Sequence, residues 1–169
     1  MLRCSTVDPM TDFQIISHTP AETADVAGRL SQLLRAGDVL LLSGDLGAGK
    51  TFFAQAVAQA LGVEDAATSP TFPIANILPT PNGALLHIDA YRLGGVAEFR
   101  DLGLEDDFDE AVTIIEWGER LLSEFDAYLS LQIDFGDDST VRELRFGGFG
   151  DRGMHLLARL QAQLAKGPA

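Results

Sequence analysis

The chain has 169 residues, 46% of them hydrophobic, and carries 12 Lys+Arg against 25 Asp+Glu for a net charge of -13. That length suits one domain. That charge repels a phosphate backbone, and without a basic run it excludes direct high-affinity binding of nucleic acid. The single cysteine, Cys4, leaves no disulfide frame and no cysteine metal site. No apolar stretch nears the ~20 residues of a membrane span. MLRCSTVDPM lacks the apolar segment of a signal peptide, so a cytoplasmic protein is expected. Residues 1–10 are expected to be a disordered extension, with Met10 an alternative start, and 11–169 a single domain.

TDFQIISHT (11–19) alternates and reads as a strand. Thr19, Pro20 and Glu22 form a helix start: N-cap, first-turn proline and the glutamate of a capping box. Val26, Ala27, Leu30, Leu33 and Leu34 continue it, and Gly37 is the expected stop. DVLLLSG (38–44) is a continuous apolar run, the mark of a strand buried on both faces. KTFFAQAVAQALG (50–62) reads as a helix ended by Gly62, with Phe52 and Phe53 packing on the sheet.

SPTFPIANIL (69–78) reads as a loop entering a strand, and PNG (81–83) as a hairpin turn. ALLHIDAYR (84–92) is a second buried strand, and VAEFRDLGLEDDFDE (96–110) one or two short acidic helices. AVTIIEW (111–117) is a third buried strand, followed by a short helix in GERLLSEF (118–125). YLSLQIDF (128–135) and TVRELRFGGF (140–149) pair as a hairpin around Gly136–Ser139, and MHLLARLQAQLA (154–165) ends the chain as a helix. This order predicts an α/β fold: a mostly parallel central sheet flanked by helices, with a C-terminal antiparallel hairpin.

Gly44 through Thr51 spells G-x-x-x-x-G-K-T between an apolar strand and a helix, the context that makes this motif credible as a P-loop. Glycine lets successive N–H groups turn into one concavity, and the concavity sits at a helix N-terminus, where the dipole favours anions. Lys50 supplies a cation for the β- and γ-phosphates, and the Thr51 hydroxyl is a hard oxygen suited to Mg²⁺. The bland alternative, a glycine-rich turn with a chance lysine, does not account for the flanking elements. A triphosphate cradle needs a further acid at a neighbouring strand end. Asp89 and Glu116 are the two candidates. Neither Asn-Lys-x-Asp nor a later Asp-x-x-Gly is present, which favours ATP over GTP. His87 reads as structural, satisfied by a backbone partner, and the acids from Glu105 to Glu110 as a solvated face.

GDLGAGKT, SPTF, HIDAYR, LGL and IEW occur in that order over roughly residues 13 to 125. Together they resemble the TsaE (YjeE) family, small P-loop ATPases of tRNA threonylcarbamoyladenosine biosynthesis. The resemblance implies a slow, Mg²⁺-dependent ATPase that regulates the TsaD–TsaB transferase pair. It implies that Asp45, Leu46, Gly47, Ala48, Gly49, Lys50, Thr51 and Phe52 bind nucleotide, with Asp89, Trp117 and Arg142 beside it. Thr51 and Glu116 would hold Mg²⁺, Lys50 and Asp89 would serve catalysis, and Ser69–Thr71 would be a switch loop. Phe52 stands where the family usually has a second threonine, so one hydroxyl toward the phosphates is lost. The alternatives are a small-molecule kinase, disfavoured by the scarcity of arginine after Asp89, and a nucleotide sensor that does not hydrolyse.

Overall fold

The computed structural model describes residues 12–64 and 74–166. Among these the strands are β1 (Asp12–Ser17), β2 (Val39–Ser43), β3 (Ala75–Thr80), β4 (Gly83–Asp89), β5 (Ala111–Glu116), β6 (Tyr128–Phe135) and β7 (Arg142–Phe149). The helices are α1 (Pro20–Ser31), α2 (Lys50–Ala60), α3 (Val96–Arg100), α4 (Glu105–Glu110) and α5 (Gly150–Leu164). The strands make one sheet in the order β1-β7-β6-β2-β5-β4-β3. β6, β2, β5 and β4 are parallel neighbours. The outer pairings of β7 and β3 are antiparallel. The predicted fold class therefore holds. The C-terminal hairpin is no appendage, because β6 is hydrogen-bonded beside β2 in the middle of the sheet.

The apolar strands are apolar throughout because both faces of the sheet are covered. Leu40 and Leu42 of β2 and Ile114 of β5 point to one face, where they meet Leu30, Phe53, Phe146 and Leu160. Val39 and Leu41, with Ile115, point to the other, packing with Leu86, Ile88, Phe99 and Tyr128. The polar ends of these strands are thereby left at the rim, beside the glycine-rich loop.

Four expectations need correcting. α1 ends at Ser31, well before Gly37. There the Ser31 hydroxyl donates to the Gly28 carbonyl, and Leu33 and Leu34 bond three residues back, tightening the turn. The second buried strand stops at Asp89, whose carboxylate caps a 3-10 turn over Ala90–Arg92. Residues 118–125 form two 3-10 turns, Gly118–Arg120 and Leu122–Glu124, in place of a helix. α5 begins at Gly150, four residues ahead of the predicted start. Its glycines read as loop in the sequence, but a Cβ on Gly153 would lie 2.1 Å from the Tyr128 carbonyl oxygen. Gly153 is small so that the helix can lie against β6. Residues 1–10 and the Ser69–Thr71 segment lie outside the described residues.

Candidate functional site

The loop from Gly44 to Gly49 leaves the carboxyl end of β2 and enters α2. Gly44 (φ 135°) is fixed by space as well as by dihedral: an added Cβ would sit 2.2 Å from the Ile133 carbonyl oxygen of β6. Gly47 (φ 79°) and Gly49 (φ 117°) face open space, so only their positive φ calls for glycine. Leu46, at the tip, is 80% exposed. Ala48 N–H bonds the Asp45 carbonyl at 3.1 Å, and the first bond of α2 runs from Phe53 N–H to Gly49. The N–H groups of the first turn have no partner inside the helix.

Lys50 is only 5% exposed. Its ammonium donates to the Gly44 and Asp45 carbonyls at 2.7 and 2.8 Å and lies 3.7 Å from the centre of the Trp117 ring. Burial pushes it below its ordinary pKa, while Glu116, Glu119, Asp45 and Asp89 pull it back up. A buried cation is thus held over the loop by two neutral backbone carbonyls.

β4 and β5 bring the two acids side by side, with Asp89 paired opposite Glu116 in the ladder. Their burial differs. Glu116 is 3% exposed. One of its oxygens accepts from the Thr51 hydroxyl at 2.7 Å, and the other lies 2.9 Å from His87 Nε2. His87 therefore finds its partner in a side chain, correcting the expected backbone acceptor. Asp89 is exposed and accepts from the Tyr91 N–H at 3.0 Å.

Trp117 has φ 60°, the one left-handed non-glycine among the described residues, and is half-buried. A bulky residue there is uncommon and stores backbone strain at this strand end. Its ring packs against Lys50 and against Tyr91, whose ring centre is 5.0 Å away. Arg142, at the start of β7, donates Nε–H to the Ala48 carbonyl at 2.7 Å, so it meets the loop's backbone. Phe53 is in the core. Phe52 is not: it is 42% exposed and lines a shallow cavity of about 250 Å³ with Ala24, Gln55 and Val63, correcting its expected packing on the sheet. Two neighbours, His87 and Tyr91, had no site role from sequence. Their positions two residues either side of Asp89 were the available signal.

The family model for the threonylcarbamoyl adenosine biosynthesis protein TsaE matches residues 17–144. The chain belongs to the TsaE family. A TsaE protein of Streptomyces coelicolor is 44% identical over 135 residues, covering 76% of this chain and 91% of that one. One from Mycobacterium bovis is 43% identical over 109 residues, covering 59% and 65%. The crystal structure of YdiB of Bacillus superposes with a TM-score of 0.77 at 29% identity, covering 92% of this chain and 98% of that one. The fold is P-loop-like, and membership of the TsaE family ties the chain to tRNA threonylcarbamoyladenosine biosynthesis. Among the described residues no helix is long and apolar enough to cross a membrane.

Proposed function

We propose that this TsaE-family chain is a cytoplasmic, Mg²⁺-dependent, slowly hydrolysing ATP-binding regulator that acts on the TsaD–TsaB pair. The observation that carries the reading is the 2.7 Å contact between Thr51, on the first turn of α2, and Glu116, at the end of β5. It sets two hard oxygens side by side at the mouth of a glycine loop that also holds a buried lysine. Their separation is close to the roughly 2.9 Å edge expected of an octahedron with Mg–O bonds near 2.0–2.1 Å. The donor set therefore fits a magnesium-bound triphosphate, which would supply an electrophilic phosphorus and a charge that changes on hydrolysis.

This chain's residues would act as follows. Thr51 and Glu116 would hold the metal, directly or through its waters. Lys50 would exchange the Gly44 and Asp45 carbonyls for anionic oxygens, so that both partners of the bond carry charge. The loop N–H groups and the N-terminus of α2 would take the remaining oxygens. Asp89, exposed and beside Glu116, would orient the attacking water. Trp117 would cover the lysine, and Arg142 would hold the loop from behind.

A P-loop turns the presence of a γ-phosphate into a change of conformation, and such coupling is reciprocal. The TsaD–TsaB pair should then shift ATP affinity by the factor by which ATP shifts pair binding, about 5- to 150-fold. The test measures ATP affinity with and without the pair, alongside threonylcarbamoyl transfer over many turnovers. Equal affinities and no effect on transfer would remove the regulatory reading.

A further inference from the structure

We propose that His87 is a positioning residue for Glu116, holding its carboxylate in the orientation that presents one oxygen to the metal. The proposal rests on the reading of the P-loop mouth as a magnesium–nucleotide site. His87 is 9% exposed and Glu116 3% exposed, so the pair is shielded from water. A carboxylate only accepts, so the hydrogen of the 2.9 Å contact belongs on Nε2. Ladder register explains how they meet: His87 pairs with Ile114 and Asp89 with Glu116. His87 is thus the diagonal neighbour of Glu116 on the same face of the sheet.

A glutamate at a strand end has several rotatable bonds. With Thr51 as its only partner, the carboxylate of Glu116 could still swing about those bonds. The imidazole removes that freedom by holding one oxygen, which keeps the other facing Thr51. Groups that orient a metal's ligands are commonly worth about 10- to 100-fold in metal affinity. The backbone ladder along Ala84–Asp89 and Ala111–Glu116 joins β4 to β5 but leaves the carboxylate's orientation free, and the contact from His87 sets it. The contact lies at the carboxyl end of that ladder, where the loop begins.

The chemistry predicts an ordering of substitutions. The terminal amide nitrogen of glutamine reaches about as far as Nε2 of histidine, while that of asparagine reaches only as far as Nδ1. His87→Gln should therefore keep the bond to Glu116, and His87→Asn and His87→Ala should lose it. The experiment titrates Mg²⁺ into the full chain at fixed ATP, follows nucleotide binding by calorimetry, and repeats the ATP titration in chelator. His87→Ala and His87→Asn should raise the Mg²⁺ needed for half-saturation by about 10- to 100-fold. His87→Gln should stay close to the unaltered protein, and metal-free binding should be the same in all. Two results would overturn the proposal: an unchanged Mg²⁺ requirement in His87→Asn, or a loss of metal-free binding as large as that of metal-dependent binding. If His87→Ala does not fold, the Asn and Gln variants alone decide. If the unaltered protein shows no magnesium-dependent binding, the reading of the site falls, and the proposal with it.

Discussion

Arg142 is bonded through Nε to the Ala48 carbonyl at 2.7 Å, so the C-terminal hairpin holds the back of the glycine-rich loop. The same guanidinium donates to Ser139 and Val141, closing its own turn. A charged hydrogen bond of this kind is worth about 1.5–3 kcal/mol. Arg142→Met should loosen the loop without touching its sequence. ATP affinity measured by calorimetry should fall about tenfold or more. Unchanged affinity would mean that the loop holds its shape unaided.

Gly44 and Gly47 should respond differently to alanine. Both have positive φ, but only at Gly44 would the new methyl meet backbone, at Ile133. Gly44→Ala should cost more than about 2 kcal/mol in urea unfolding, and Gly47→Ala about 1 kcal/mol. Equal losses would mean that β2 and β6 can part without penalty.

The two acids should separate by assay. Glu116→Ala removes a buried oxygen from beside Thr51 and should weaken magnesium-dependent nucleotide binding. Asp89→Ala removes an exposed acid that caps a turn, and should slow hydrolysis while leaving binding nearly intact. Equal loss of binding in both variants would contradict this division.

Stability should fall on the alkaline side. Tyr128 is buried and stacked on Phe149, and burial pushes its phenol above the ordinary 10.0. Its stabilising contribution is complete below pH 10, the unfolded value. Above that the unfolded chain gives up the proton first, so stability is lost as pH rises through the folded value. Tyr128→Phe should flatten this decline in denaturation series taken on either side of pH 10. An identical decline in the variant would assign it to other groups.

The parts legible in the sequence were those written in local pattern. The runs at 38–44 and 111–117 announced strands covered on both sides, and the loop between 44 and 51 announced itself by glycine spacing. Thr19 does cap α1, accepting from the Glu22 N–H at 3.2 Å. Glu22 reaches back to His18, one residue beyond a regular capping box. What local pattern did not carry was distant pairing. Nothing in YLSLQIDF says that it lies against β2, or in DFQIIS that it pairs with β7. Residues 118–125 have helical spacing, but Trp117 is left-handed and a Cβ on Gly118 would meet the Leu41 side chain at 3.0 Å. The Glu116–His87 contact was hidden for the same reason: it depends on the register of two strands whose pairing no single segment encodes.

The loop at Gly44–Thr51 is proposed to be a nucleotide site. Its most direct test is calorimetric titration of ATP with Mg²⁺ into the unaltered chain and into Lys50→Ala. Lys50 is the buried cation over that loop, and its loss should weaken binding by roughly 3 kcal/mol, about 100-fold. Binding should be saturable and magnesium-dependent in the unaltered chain and nearly abolished in the variant. Equal affinity in the two proteins would contradict it.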